Sequence, residues 1–437
     1  MSRLLSLVVA ALGLAGLAAC SEPIPKSATA PTSTLAGTDD CAHATSVLKC
    51  APKGTTLDPL LPEKPTRATG TPIKIGTINQ DTGAAGAFPE LTAADRTAID
   101  FINNELNGVD GHPIELVTCD TQFSPDLSQA CAQRMVAEEV DAVVGGIDVW
   151  GTGITTLENN NIPYVGGIPV SFEAARSPVS FQFSGGIWGA VLGHGEYALR
   201  KHHAKHVAII AADFGPITDA AKLGQRALER RGVKTTLVSV ATINADMVQA
   251  LNTAVQSEPD AIIALTADSG CKPTMLTAKQ LGLKMPIMYT GACAAPKIVD
   301  SVDGAAEGAV FNLEADLDPS HPDNVLYRLV SARYGPKYGY EALSAGTVSF
   351  RAVMNLYAVL RTIGGDDVTR TRILQTLRDG KNHPSFFGHP YTCDGHQLEG
   401  YPAMCSPQQS LGRLSEGEVT GITGWLDVGA FAGRSGK

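Results

Sequence analysis

Basic residues are scarce in this 437-residue sequence, and no extended run of Lys or Arg occurs in it. Its 34 Lys and Arg stand against 44 Asp and Glu, so the formal net charge is −10. Nucleic-acid binding depends on basic patches that neutralise the phosphate backbone. The charge balance therefore excludes nucleic acid as a main partner.

Motifs of common enzyme and redox sites are also lacking. The chain contains no GxSxG, HExxH or GxxxxGK[ST] segment and no CxxC pair, the signatures of nucleophilic, zinc, phosphate-binding and thiol redox sites. His202 and His206 have the spacing of metal ligands on a helix, but no carboxylate or cysteine lies beside them. Basic residues near the C-terminus of a helix also interact favourably with the helix dipole, which explains these histidines without a metal. The sequence therefore predicts a protein that is not an enzyme and has no metal site or cofactor.

Long hydrophobic runs are confined to the N-terminus. After residue 20 no apolar run has the ~20 residues that a bilayer-spanning helix needs. Arg3 followed by the apolar residues 4–17 is typical of a secretory signal peptide. Residues 17–20 (LAAC) resemble the lipobox of bacterial lipoproteins. This resemblance implies cleavage before Cys20 and a lipid on it that anchors the protein to the cell membrane, facing the extracytoplasmic side; a chance cysteine is the alternative.

The other eight cysteines form four close pairs along the sequence. An even number of cysteines in an exported chain indicates disulfides, although eight cysteines allow 105 connectivities. Pairing in sequence order is the simplest choice. It predicts Cys41–Cys50, Cys119–Cys131, Cys271–Cys293 and Cys393–Cys405.

Two regions of different composition follow the signal. Residues 20–71 are rich in Pro, Thr and Ser without a sustained apolar period, which is typical of a tether. From residue 72, strand patterns alternate with helical periods, which predicts parallel sheets flanked by helices. The strand patterns are 73–76, 114–117, 142–145, 162–165, 207–210, 236–239, 261–265 and 286–289, and residues 421–428 are expected to add a final strand. Two successive sets of roughly equal length predict two similar lobes.

Several segments resemble the leucine/isoleucine/valine-binding protein family. Residues 98–105 (AIDFINNE) and 108–117 (GVDGHPIELV) are similar to the first helix and second strand of that family. Further similar segments follow in the family's order: 119–122 (CDTQ), 142–146 (AVVGG), 161–165 (NIPYV), 259–262 (PDAI) and 388–395 (GHPYTCDG). The similarity covers about residues 72–430.

This resemblance implies an α/β protein with the two-lobed type I periplasmic-binding fold. Each lobe would be a parallel sheet flanked by helices, and three crossovers would form the hinge. Lobe one would comprise residues 72–183 and 314–382, and lobe two residues 184–313 and 383–430.

The resemblance also implies the function of an ABC transporter substrate-binding lipoprotein. Such a protein captures a small polar ligand, here an amino acid or a related amine or amide, by closing its cleft, and delivers it to the permease subunits. The alternative on the same fold is a receptor-like sensor that signals to a protein partner without transport.

Ligand contacts are expected on the loops that follow the strands. The candidate residues are Phe88, Asp148, Trp150, Thr152, Ser171, Asp213, Phe214, Thr266, Asp268 and Ser269. The loop 145–152 (GGIDVWGT) lacks a small hydroxyl residue that the family has there, and Phe214 replaces its tyrosine. Phe88 and Trp150 would stack on an apolar or cationic ligand, and the three aspartates would favour an ammonium group. Alternatively, each Asp caps a helix or closes a turn, and Trp150 packs within its own lobe.

Overall fold

Five parallel strands form the sheet of lobe one in a computed structural model, which describes residues 46–266, 268–342 and 344–433. They are β1 (Ile73–Asn79), β2 (Ile114–Asp120), β3 (Ala142–Val144), β4 (Tyr164–Val165) and β5 (Ser180–Phe181), in the order β2-β1-β3-β4-β5. Strand β3 is buried throughout because helices cover both faces of the sheet. The parallel sheet predicted for this lobe is confirmed.

Helices pack on both faces of this first sheet. On one face lie α1 (Pro89–Glu105), α10 (Pro322–Tyr334) and α11 (Gly346–Ile363), and on the other lie α2 (Pro125–Ala137) and α3 (Ile154–Asn159). The short α4 (Phe172–Arg176) and α12 (Arg370–Asp379) complete the lobe. The buried side chains of Phe101, Tyr327 and Phe350 belong to one shared core on the first face. Burial of these aromatic rings holds the second segment of the lobe against the first.

Lobe two contains a mixed sheet of seven strands within the described residues. They are β6 (His206–Ala212), β7 (Lys234–Val240), β8 (Ala261–Leu265), β9 (Ile287–Tyr289), β10 (Val310–Leu313), β13 (Ser410–Ser415) and β14 (Glu418–Gly421), in the order β14-β13-β10-β9-β8-β6-β7. Strand β13 runs antiparallel to both β10 and β14. The final strand predicted at 421–428 is wrong, because β14 ends at Gly421 and a helix begins at Val428.

Helices flank the second sheet as they do the first. They are α5 (Gly186–His202), α6 (Gly215–Glu229), α7 (Met247–Gln256), α8 (Asp268–Gln280), α9 (Pro296–Val299) and α13 (Val428–Ala432). Short 3₁₀ turns occupy Val47–Lys49, Asp58–Leu60, Gly291–Ala294, Asp300–Val302, Gly335–Tyr338 and Gly365–Asp367. Across the described residues, no helix is both long and apolar enough to cross a membrane.

The last crossover between the lobes lies further along the chain than residue 383. A hairpin of β11 (His383–Ser385) and β12 (Gly388–Tyr391) packs with lobe one. The ring of Phe387 stacks on Tyr327 at 4.8 Å between centroids, and that of Tyr391 lies 4.5 Å from Phe183. These aromatic contacts bind the hairpin to the core of lobe one although the sequence analysis assigns it to lobe two.

Residues 46–71, which the sequence analysis assigns to the tether, pack on lobe one instead. Val47 is fully buried and Leu57 is 2% exposed. The Glu105 carboxylate accepts hydrogen bonds from the Ser46 hydroxyl at 2.6 Å and from the Val47 and Leu48 amides at 3.0 and 3.1 Å. Buried apolar side chains and a buried carboxylate thus fix this stretch. The signal peptide, Cys20 and the tether before Ser46 lie outside the described residues.

Three of the predicted disulfides are confirmed. Cys119–Cys131 joins the end of β2 to α2, Cys271–Cys293 joins α8 to the turn after β9, and Cys393–Cys405 closes the loop after β12. Cys50 is also disulfide-bonded, but Cys41 lies outside the described residues, so the identity of that pair stays a prediction. A framework of disulfides is typical of an exported protein.

Replacing Glu105 with Gln tests whether residues 46–71 belong to the folded lobe. We expect the Glu105→Gln variant to lose about 2–3 kcal/mol of stability, because buried donors lose a charged acceptor. Limited proteolysis should then cut within residues 46–71 before the lobes unfold. Glu115→Gln, at an exposed position of β2, is the matched control; equal resistance of both variants would contradict this account.

Candidate ligand-binding cleft

A cleft lies where the carboxyl ends of the strands of the two sheets face each other. Loops after β1, β2, β3 and β4 line it from lobe one, and loops after β6, β7, β8, β9 and β10 line it from lobe two. It holds about 1630 Å³ of space, including solvent at its mouth. Ligands of open α/β sheets bind at these strand ends, so the cleft is the candidate site.

Tight glycine turns shape the wall that lobe one contributes. Gly145 and Gly146, directly after β3, have φ angles of +65° and +78°. A Cβ atom on Gly146 would lie 2.2 Å from the carbonyl oxygen of Ile78. Only glycine fits this turn, which directs the chain so that Ile147 and Val149 line the cleft.

The lining of the cleft is predominantly apolar. It includes Ala85, Phe88, Phe123, Ile147, Val149, Ile168, Val170, Ile187, Phe214, Ile217, Val240, Met247, Leu265, Leu313, Leu317 and Val348. Both lobes contribute to this set, so a bound molecule would meet hydrocarbon from two sides. Most of these residues are not predictable from the sequence, because a single Ile or Val in a loop carries no signal that separates it from a core position.

Polar side chains in the lining are largely bonded to the protein itself. Asn312 accepts a hydrogen bond from the Gly291 amide at 2.8 Å and donates one to Gln409 at 3.1 Å. The Thr290 hydroxyl donates to the carbonyl of Thr266 at 2.9 Å, and that of Thr242 donates to the carbonyl of Asp213 at 3.1 Å. These bonds hold neighbouring loops together, whereas the Oε1 atom of Gln80, which also lines the cleft, has no hydrogen-bond partner among the described residues.

Four of the predicted contact residues line the cleft: Phe88, Phe214, Thr266 and Ser269. Phe88 directly precedes α1, and Phe214 directly precedes α6. Ser269 lies in the first turn of α8, next to Asp268. The side chain of Asp268 is outside the described part of the structure, so its predicted role stays a prediction.

The carboxylate of Asp148 points into lobe one rather than into the cleft. Asp148 is 2% exposed and accepts hydrogen bonds from the Ser128 hydroxyl at 2.6 Å and the Gly151 amide at 3.1 Å. Burial raises its pKa, and these hydrogen bonds oppose the rise. Asp148 therefore closes a turn, which is the alternative that the sequence left open.

The other predicted contacts also serve local structure. Ser171 caps the N-terminus of α4 by accepting from the Ala174 amide at 3.2 Å. The exposed Thr152 donates to the carbonyl of Pro125 at 2.6 Å. Asp213 is exposed and is absent from the cleft lining. Within the described side chains, the predicted trio of aspartates thus does not gather around a ligand site.

Three aromatic rings connect the two lobes beside the cleft. Trp150 and Phe123 belong to lobe one, and Phe214 belongs to lobe two. The rings of Trp150 and Phe214 meet edge to face at 5.2 Å between centroids, and Phe123 lies 5.6 Å from Trp150. The Trp150 indole donates to the Phe123 carbonyl at 3.0 Å. We call Phe123, Trp150 and Phe214 the aromatic latch, because they hold the lobes in contact.

A buried ion pair joins all three crossovers at the hinge. Arg351 of α11 donates to the carbonyl of Phe183 in the first crossover at 2.7 Å and pairs with the Glu314 carboxylate in the second at 3.4 Å. Gln409 in the third crossover donates to Glu314 at 2.7 Å. Burial raises the pKa of Glu314, and the positive charge of Arg351 opposes this rise. We call Arg351, Glu314 and Gln409 the hinge network.

The two histidines considered as metal ligands do not share a helix. His202 is the last residue of α5, whereas His206 begins β6. The His206 Nε2 lies 2.9 Å from the Thr236 hydroxyl, and the His202 ring packs against Tyr197 at 5.2 Å. In the described part of the chain, no cluster of three or more His, Cys, Asp or Glu side chains is arranged to hold a metal ion.

Comparison with known proteins places this fold and cleft in a family. The family model "Periplasmic binding protein" matches residues 72–404. The chain therefore belongs to the periplasmic binding protein family, whose members bind solutes. The family and the type I fold predicted from the sequence motifs are confirmed.

Solved structures of substrate-binding proteins share the fold at low identity. A leucine-binding protein from Thermotoga maritima is 20% identical, with a TM-score of 0.66 over 80% of this chain and 98% of that chain. A fatty acid ABC transporter substrate-binding protein from Thermomonospora curvata is 16% identical, with a TM-score of 0.70 over 85% and 97%. A solute-binding protein from Rhodopseudomonas palustris, in complex with 3,4-dihydroxybenzoic acid, is 19% identical, with a TM-score of 0.66 over 83% and 99%. No curated protein sequence matches the chain.

The hinge network predicts a large cost for removing one of its charges. An Arg351→Met variant leaves the buried Glu314 carboxylate without its ionic partner, and we expect a loss of about 3–5 kcal/mol in thermal or urea unfolding. Removing both charges, in Arg351→Met with Glu314→Leu, should recover much of this loss. Arg372→Met breaks the exposed pair with Asp367 and should cost below about 1 kcal/mol. A similar cost for Arg351→Met and Arg372→Met would contradict this description of the hinge.

Proposed function

We propose that this protein is an extracytoplasmic solute-binding protein that captures a small molecule by lobe closure and delivers it to an ABC importer. The observation that carries the proposal is a cleft whose walls come from two lobes that share one hinge and meet at the aromatic latch. A ligand seated there would contact both lobes. It would therefore favour the closed form over an open one, which is how hinge-closing proteins bind.

The sequence identity to these solved structures is low, so the ligand must be inferred from the residues of this chain. The three relatives described above are named for leucine, a fatty acid and a dihydroxybenzoic acid, which differ in polarity and shape. The amino acid or amine expected from the sequence rests on the family resemblance and on three aspartates predicted at the cleft. Asp148 and Asp213 do not line it, and the side chain of Asp268 lies outside the described residues, so no described aspartate provides a partner for an ammonium group.

Membrane anchoring through Cys20 is the second part of the proposal. The LAAC segment at residues 17–20 and the disulfides of the folded lobes both suit an exported lipoprotein. A lipid anchor would keep the cleft close to the permease subunits without a membrane-spanning helix.

Solute uptake by whole cells of a host that exports this protein distinguishes a component of an importer from a sensor. We expect deletion of the gene to reduce uptake of at least one radiolabelled solute among leucine, decanoate and 3,4-dihydroxybenzoate, and the wild-type gene to restore it. Normal uptake of a solute that stabilises the purified protein would favour the receptor-like alternative. Normal uptake of all three, with none of them stabilising the folded protein, would contradict capture of these ligand classes.

Replacing Cys20 with Ser tests the anchor. We expect the Cys20→Ser variant to lose labelling by an alkyne analogue of palmitate, because a serine hydroxyl does not form the thioether of bacterial lipoproteins. The protein with native Cys20, expressed in the same host, is the control. Membrane association that persists in the variant, together with retained labelling, would contradict lipidation at this position.

A further inference from the structure

We propose that the cleft takes a molecule with a hydrocarbon body and no ammonium group. This inference rests on the proposed solute-binding function and names its ligand class. It is carried by two features of the described cleft: apolar side chains open toward it from both lobes, and its acidic side chains are already paired or turned away.

Apolar side chains of the cleft wall are left partly uncovered by the protein. Ile168 and Val170 of lobe one are half-buried, and so are Phe214 and Ile217 of lobe two, where Ile217 lies on the first turn of α6. Uncovered apolar surface in a concave site favours an apolar occupant, since binding removes that surface from water. Walls of this kind on both lobes suit a ligand that is apolar on two sides.

Acidic side chains that would hold an ammonium group are not available among the described residues. Glu314 lines the cleft, but its carboxylate pairs with Arg351 and accepts from Gln409 at 2.7 Å. Asp148 accepts from Ser128 inside lobe one, and Asp213 is exposed away from the lining. Among the described side chains, an ammonium group in this cleft would find no free anionic partner to compensate for its loss of water.

A chemically matched pair of ligands tests this inference directly. Leucine and 4-methylpentanoate share a carbon skeleton and a carboxylate and differ by the ammonium group. We expect isothermal titration of the folded mature protein to detect 4-methylpentanoate and not leucine. Along hexanoate, octanoate and decanoate, the affinity should rise by about fourfold per methylene, as expected for burial of hydrocarbon.

Two charge substitutions locate the binding site. Val170→Asp places a carboxylate on the half-buried wall of the cleft and should weaken decanoate binding by about tenfold or more. Val248→Asp makes the same change at a residue of α7 that is 50% exposed and is not part of the cleft lining. It should leave affinity unchanged. Equal affinities in the two folded variants would overturn the assignment of decanoate to this cleft.

The outcomes separate this inference from the function on which it rests. Binding of leucine without binding of 4-methylpentanoate overturns the hydrocarbon class and leaves solute capture intact. If none of the carboxylates in the series binds, the hydrocarbon class is also overturned. The comparison of solute uptake with and without the gene then decides whether solute capture itself fails. Affinity that rises with chain length and falls in Val170→Asp supports the inference.

Discussion

The buried pair of Arg351 and Glu314 is the constraint on which the two-lobed arrangement depends. It lies where the chain passes between lobes three times, and it reaches Phe183 and Gln409 in the other two crossovers. A buried ion pair contributes little net stability compared with well-packed apolar side chains, but it is costly to break and its geometry is specific. The pair therefore fixes how the crossovers lie together, and thereby which strand ends face each other across the cleft.

Fold and ligand preference are determined by different residues in this protein. The sheets, their flanking helices and the hinge network create the cleft between the lobes. The chemistry of that cleft comes from loop residues such as Ile168, Val170 and Ile217, together with Phe214 of the aromatic latch. These described side chains are apolar, and this is the feature on which the proposed hydrocarbon ligand rests.

The sequence predicts the fold well because parallel strands buried on both faces have a continuous apolar pattern, as in β3 and β8. Pairing of near cysteines is also predicted, since the three confirmed disulfides join cysteines only 12 or 22 residues apart. The site is predicted poorly, because an aspartate in a loop has the same local pattern whether it faces a ligand or, like Asp148, closes a turn. Local periodicity likewise does not predict packing between residues far apart in the sequence, such as Phe387 on Tyr327.

A crystal structure of the mature protein with decanoate tests the central claim most directly, because it shows where the hydrocarbon lies relative to both lobes. The account predicts an alkyl chain between Val170 of lobe one and Ile217 of lobe two, with the aromatic latch closed and the Arg351–Glu314 pair intact. Electron density for decanoate only outside the cleft, or in contact with one lobe alone, would contradict it.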